Sequence, residues 1–593
     1  MLQKFGYIFF HYVVLFIFLF SSWGSGRWVL SRSAKKIQIN GWLEHALEST
    51  LGIGFFICAL QWLAIAGELR ALWINVLLTI GVVLGIMQLR GLGLPDLHRI
   101  HSKWKSLTLH EKCGFLVISL FILSTLLDPI KLPLGWDEVM YHLPHARQWA
   151  LSGRLDVNEW LRYPWFPYNY ELLYAAALIV YDDVMPHMLH AAAGWLVALI
   201  IYQVGKRYSN HGAACLGAII WLLISRGGFD KADVDMGITL FVFAACVSFY
   251  FWLEEPQQRI WLAMAAFLMG VAVGSKYQTL SFLPLFSLAL LIRERKPATL
   301  LMVLACLIIP SIYWYARNGI MTGDPFNPIG GKLFGFTDWN LGDYKYQFED
   351  LKRNIGWPHW AFWPALLTPF IKKFRDMHSM RVAMIFCAYS LIIWIITSHY
   401  PRYLMPVYPL LALLAGCGWQ WIFSNGFSSI APLRKVKLHI HLHPRIQRTG
   451  WATILTMLSI TLIIVSARNW NGIGSTDATR EAILYKKISG YPVLSYIRKN
   501  SIREIYQFGL EDAIYYAPNP IWGDHFGPGR YRDFSSLKPA ELAFKLKKSG
   551  FRNILIHTTR WSQIDSQIDF NLYFLKIYQY GDVKLYRIIE NIP

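Results

Sequence analysis

The sequence predicts a polytopic α-helical membrane protein that ends in a soluble α/β domain, and three observations carry that expectation. Charged residues make up 16% of the 593 and hydrophobic ones 55%, whereas soluble chains hold roughly 25% charged residues. Apolar runs of helical length recur from the N-terminus to about residue 467, with short polar loops between them. Past residue 470 the pattern changes to short amphipathic and β-like stretches.

Taken in order, spans are expected at 7–26, 42–65, 70–89, 112–130, 184–204, 211–225, 235–253, 260–274, 278–292, 298–317, 358–371, 382–397, 403–423 and 451–467. The stretch 358–371 is the weakest of these because it holds two prolines. The first run, Phe9 to Trp23, lacks a strongly basic start and an evident cleavage site, so it reads as a retained helix. Three units follow: N-terminal helices over 1–110, a membrane core over 111–469 that includes the long loop 131–183, and an α/β module over 470–593. The module reads as helix "YPVLSYIRKN", strand "EIYQFG", helix "PAELAFKLKKSG", strand "NILIHT" and a hairpin around "YGDVKLYRII".

The net charge is +20, but the basic residues lie mostly in short loops rather than on one face. That argues for topology and against nucleic-acid binding. Arg27, Arg32, Lys35 and Lys36, then Arg90, Arg99, Lys103 and Lys105, then Lys206–Arg207, "RERK" at 293–296, Lys372–Lys373 and the segment 434–448 all fall on one side, expected to be cytoplasmic. Loop 131–183, loop 226–234, loop 318–357 and everything after 468 fall on the other. All seven cysteines lie in or beside apolar runs, so no disulfide framework is expected.

The chemistry is expected in those outer segments. "KLPLGWDEVMYHLPHARQWALSG" places Asp137 and Glu138 where the chain leaves the bilayer, a setting that tunes carboxylate proton affinity. Val139, Met140, Leu143, Ala146 and Ala150 then share a face, which predicts a helix in the interface plane anchored by Trp149, with Pro144 in its first turn or at a kink. With "LRYPWFPYNYELLYAAAL" it is expected to roof a cavity at bilayer depth. A carboxylate there suits the base that deprotonates an attacking hydroxyl. Arg402, Arg317 and Lys276, on the same face, suit a leaving phosphate. Asp233, Asp235, His142 and Tyr141 are candidates to bind or orient an acceptor.

"WDEVMYHLP", "FPYNYELLYAAAL", "GVAVGSKYQTL", "ARNG…GDPFNP" and "PRYLMPVYPLLALLAG" follow the order found in integral-membrane glycosyltransferases of the GT-C class. Over roughly 110–470 the chain resembles the dolichyl-phosphate-mannose protein mannosyltransferase and aminoarabinose lipid A transferase superfamily. That resemblance implies a GT-C-like core of about 11 spans after about three added N-terminal ones. It also implies inversion at the anomeric carbon, a polyprenyl-phosphate sugar donor (undecaprenyl or dolichyl phosphate), and Asp137 as catalytic base with Glu138 beside it. Metal use is not general in the superfamily. Asp233–Asp235 is a DxD by spelling only, so no cofactor is called for and a divalent cation is merely allowed. His439, His441 and His443 spell HxHxH, a pattern that can hold a metal on a strand, but their basic loop favours plain solvation.

The acceptor implied is a hydroxyl of a glycolipid, polysaccharide or protein on the extracytoplasmic face of a bacterial inner membrane. The absence of any N-x-Ser/Thr sequon leans towards bacteria. The alternative is a transporter or flippase of a lipid-linked substrate. The long outer loop and the lack of an internal repeat weigh against it. A non-catalytic scaffold, in which the acidic pair is dispensable, is the third reading.

Overall fold

The computed structural model describes residues 1–33, 41–89, 97–425 and 444–590. His439, His441 and His443 lie outside the described residues. Among the described residues, nine helices are long and apolar enough to cross a membrane, from Leu2–Arg32 to Thr449–Asn471, and a tenth candidate is the pair Pro297–Ile308 and Ile312–Thr322, bent by 70°. The expected spans at 211–225, 260–274 and 278–292 appear as shorter apolar helices. The proline-bearing stretch 358–371 forms a 3₁₀ helix, Trp360–Phe370, with Pro364 and Pro369 inside it. Proline removes the N–H that an α-helical ladder needs there.

The N-terminal helices belong to the packed body. Leu2–Ser33, Trp42–Ile65 and Ala71–Leu89 approach through small residues: a methyl group at Gly52 would sit 1.7 Å from the Ser22 carbonyl oxygen, and one at Gly26 1.8 Å from that of Glu48. Trp42–Ile65 packs in turn on Met185–Tyr208 and Arg259–Val273. Its buried Gln61 donates to Asn169 Oδ1 at 2.9 Å, which pins the outer loop to this helix.

The outer loop opens with a π-helical turn, Glu138–His142, followed by helix Leu143–Ser152 with Pro144 in its first turn. Contrary to the lipid-anchor expectation, Trp149 is buried and its indole N–H donates to the Asp156 carbonyl at 3.1 Å. The helix is roofed by protein, because the C-terminal module lies on it.

That module holds a five-stranded sheet of strands β1 (Ile505–Phe508), β2 (Ile521–Trp522), β3 (Asn553–His557), β4 (Phe574–Tyr580) and β5 (Val583–Ile588) in the order β2-β1-β3-β5-β4. β1 runs parallel to β2 and β3, and the β4–β5 hairpin adds antiparallel to β3. Every residue of β1 and β3 is buried, as central parallel strands covered on both faces require. Polar clamps fix the sheet to the membrane core: Arg147 Nη1 donates to the Tyr515 and Ala517 carbonyls at 2.7 and 3.0 Å, and Tyr516 Oη to the Pro133 carbonyl at 2.6 Å. The guanidinium of Arg162 meets both oxygens of Asp524 at 2.9 Å through Nε, with each partner under one-tenth exposed.

Removing one member of such a buried pair leaves a charge uncompensated and costs about 3–5 kcal/mol. Asp524→Ala should therefore lower the melting temperature and open the junction near residue 470 to limited proteolysis. Unchanged melting and cleavage would mean that the clamp is not what holds the module.

Candidate active site

A cavity of about 560 Å³ opens between the outer loop, loop 318–357 and the C-terminal module. Charged groups from distant segments meet at its inner end. Arg402, at the start of the 3₁₀ turn Pro401–Val407, donates from Nη1 to Asp137 Oδ2 at 2.5 Å and from Nε to Asp235 Oδ2 at 2.7 Å, with Asp233 Oδ2 3.9 Å away. Lys276 Nζ lies 3.0 Å from Asp235 Oδ1 and faces the Tyr403 ring. Asp235 is the first residue of helix Asp235–Glu254, where the positive end of the helix dipole adds to its stabilisation.

Asp137, Lys276, Arg402, Tyr141 and His142 all line the cavity. Asp137 and Arg402 keep about a quarter of their side-chain surface exposed. Asp233 sits just outside the membrane span, and burial pushes its carboxyl up to about 7, with the charges of Asp137 and Asp235 adding to the rise and Arg402 opposing it. With Asp233 protonated, the cluster sets Asp137 and Asp235 against Arg402 and Lys276. His142 Nδ1 is 2.7 Å from Glu171 Oε1. Burial, then the nearby Arg402 and Lys276 charges, hold its imidazole well below the usual range, so the ring is neutral. Burial likewise keeps the Tyr141 phenol protonated.

Two expected residues are elsewhere. Glu138 is fully buried and turned away from the cavity. Its Oε1 accepts the backbone N–H groups of Leu134, at 2.6 Å, and Gly135, while Oε2 accepts from Ala232 N at 2.5 Å and His187 Nε2 lies at 2.7 Å. With its oxygens bonded, it has no geometry for a base in the cavity. It ties the loop start to helix Met185–Tyr208 and to loop 226–234. Arg317 is also buried. Its guanidinium lies over the Trp165 and Trp314 rings, 5.5 and 5.0 Å from their centroids, and bonds to Asn318 Oδ1 at 2.9 Å. It holds the roof from beneath and does not reach the cavity that a phosphate would enter.

Other lining residues had weak sequence signals. Tyr163 adopts φ 59°, a left-handed conformation that is costly for a bulky side chain and tends to accompany functional sites. Its phenol donates to Gln347 Oε1 at 3.0 Å. His525 and Phe526, from the C-terminal module, close the outer end of the cavity. Among the described residues no three His, Cys, Asp or Glu side chains converge as a metal-binding set.

If Glu138 is a structural tie, Glu138→Ala should lower thermal stability by about 3 kcal/mol, because four donors lose their acceptor in the interior. An unchanged melting curve with loss of ligand binding would instead place that carboxylate in the cavity.

The membrane core and the module each have relatives. The model of the dolichyl-phosphate-mannose-protein mannosyltransferase family matches residues 174–314, and the model of the SF2091/S2213 family matches residues 479–587. The Shigella flexneri protein SF2093/S2215 is 30% identical over 212 residues, covering 98% of that protein and 34% of this chain. SF2092/S2214 of the same organism is 28% identical over 137 residues, 72% of its length and 20% of this chain. Among solved structures, ArnT from Cupriavidus metallidurans bound to undecaprenyl phosphate aligns with a TM-score of 0.49 and 14% identity, over 81% of this chain and 98% of that one. The oligosaccharyltransferase AglB from Archaeoglobus fulgidus aligns with a TM-score of 0.44 and 12% identity, over 80% and 75%. The chain belongs to the family of the Shigella flexneri protein SF2093/S2215, and its residues 174–314 are similar to the dolichyl-phosphate-mannose-protein mannosyltransferases.

Proposed function

We propose that this chain is a glycosyltransferase that moves a sugar from a polyprenyl-phosphate carrier to a hydroxyl on the extracytoplasmic face of a bacterial inner membrane, with inversion at the anomeric carbon. The observation that carries the reading is the meeting of Asp137, Arg402 and Lys276 at one end of a cavity. These are a carboxylate that can take a proton and two cations that can receive a phosphate. The matched mannosyltransferase family is named for a donor of that chemical kind. The expected sidedness agrees with helix Met185–Tyr208, which carries His187 at the cavity end and Lys206 and Arg207 at the other.

In this scheme the donor phosphate enters beside Lys276 and takes over the guanidinium of Arg402, which releases Asp137. The freed carboxylate accepts the acceptor's hydroxyl proton as its oxygen bonds to the anomeric carbon. The bond between that carbon and the phosphate oxygen breaks, and polyprenyl phosphate leaves with its electrons, held by Lys276 and Arg402. Asp235 keeps both cations in place. A divalent cation is not assigned a position.

Transfer from a polyprenyl-phosphate sugar by the purified chain should fall about 10²–10⁴-fold in Asp137→Asn, the span typical of losing a positioned base. Donor affinity should hold or rise there, because Arg402 loses a competitor. Arg402→Ala should instead weaken donor binding about 10- to 100-fold. Full turnover in Asp137→Asn would overturn the assignment of the base.

The Asp233 carboxyl supplies a pH test. Below about 7 it is protonated and leaves Arg402 to two carboxylates; above that it ionises and adds a third negative charge. Donor affinity should therefore fall as pH rises through that value, and Asp233→Asn should flatten the profile. An identical pH slope in the variant would remove Asp233 from the explanation.

A further inference from the structure

We infer that the C-terminal module forms the acceptor-binding wall of the active site, and that the acceptor it receives is an uncharged carbohydrate. This rests on the transferase reading above and names its second substrate. The first observation is topological. Glu511, His525 and Arg560 each lie three residues beyond the carboxyl end of a parallel strand, β1, β2 and β3 respectively. That edge of a parallel sheet is where loops converge on ligands, because backbone and following turns open there.

The three residues form one assembly facing the membrane core. His525 Nε2 lies 3.2 Å from Glu511 Oε1, and Arg560 pairs with Asp512 at 2.9 Å while its guanidinium covers the ring of Trp136, the neighbour of Asp137. Glu511 is held down to about 2, a value reached against burial through the His525 bond and the Arg162 charge, so it stays ionised beside the imidazole. His525 is about one-third exposed and lines the cavity.

The second observation is the chemistry opposite. The His525 ring stacks on Tyr346 at 4.9 Å and 14°, and Phe526 stacks on Trp339 at 4.8 Å and 14°. Gln347, Asp350 and Asn354 also line the cavity. They follow at helical spacing along Leu341–Arg353 and its C-cap, so they share a face. Flat rings meet the C–H faces of a pyranose, while amides and a carboxylate satisfy its hydroxyl rim. The cations of the cavity are gathered at the other end around Asp235, and Arg162 is bound to Asp524. An anionic acceptor would therefore meet Asp350 at this end without a matching cation in the lining, which favours an uncharged sugar.

The test is to apply the full chain in detergent to a printed array holding neutral oligosaccharides, phosphorylated oligosaccharides and Ser/Thr peptides. Undecaprenyl-phosphate binding is measured in parallel by native mass spectrometry. Neutral glycans should be retained by the unaltered protein and held about tenfold or more weakly by His525→Ala and Tyr346→Ala. Undecaprenyl-phosphate binding should be unchanged in both, and Tyr346→Ala should keep the melting transition of the unaltered protein. Asn354→Ala, an exposed change on the same face, serves where either variant loses its melting transition. Retention of peptides alone, of phosphorylated glycans alone or of nothing would overturn the inference, as would equal retention by the variants. Failure of the unaltered chain to bind undecaprenyl phosphate would instead count against the donor reading.

Discussion

A single guanidinium organises the inner end of the cavity. Arg402 reaches three carboxylates from two other segments, and Lys276 from a fourth shares one of them. A charge with about three-quarters of its side-chain surface covered is sustained only by partners, since stripping an ion of water costs several kcal/mol. The pairing therefore fixes where the loop after Ile130, helix Asp235–Glu254 and the turn Pro401–Val407 must meet. Its weakness is also its use. A lattice held by ion pairs can exchange one anion for another, whereas a lattice of apolar contacts has nothing to offer a phosphate.

Asp137 and Glu138 are adjacent and chemically alike, yet they have opposite surroundings. The π-helical turn that begins at Glu138 sends that carboxylate inward, against four donors, and leaves Asp137 at the cavity wall. Such turns recur at functional sites because the extra residue re-aims neighbouring side chains. If Asp137 is the base proposed above, a mobile carboxylate would surrender the geometry that proton transfer requires. The buried carboxylate thus positions the exposed one, with His187 and the Ala232 N–H as its anchors.

The sequence makes the spans legible because hydropathy is a local property, and it makes Arg402 and Lys276 visible because cations on the outer face run against the topological trend. The tail's β1, β3 and hairpin could also be read from their short β-rich runs. What stayed hidden depends on long-range contact. The spelling "DE" does not say which carboxylate turns inward, and Arg317 looks like a phosphate ligand until Trp165 and Trp314 are seen to enclose it. The pairing of Arg162 with Asp524 joins residues 362 positions apart. No local pattern marks either residue, so the placing of the module over the cavity could not be anticipated.

That placing bears on a problem that the proposed transfer has to solve. Water is the most abundant hydroxyl, and an activated donor exposed to it would be hydrolysed unless the site excludes water until the acceptor arrives. The outer loop does not close the site by itself, since Asp137 keeps about a quarter of its side-chain surface exposed. With the module in place, the charged end lies behind Tyr163, Phe526 and Trp339, whose rings contact one another at centroid distances of 4.8–6.1 Å. Under the proposed function, a sugar that replaces water along those rings would reach Asp137 with its hydroxyl leading, so one surface would both favour the acceptor and withhold the competitor. The strained backbone of Tyr163 sits at the centre of that wall. Its cost is tolerated because the same turn carries Arg162 to Asp524, and the ion pair that docks the module holds the wall closed.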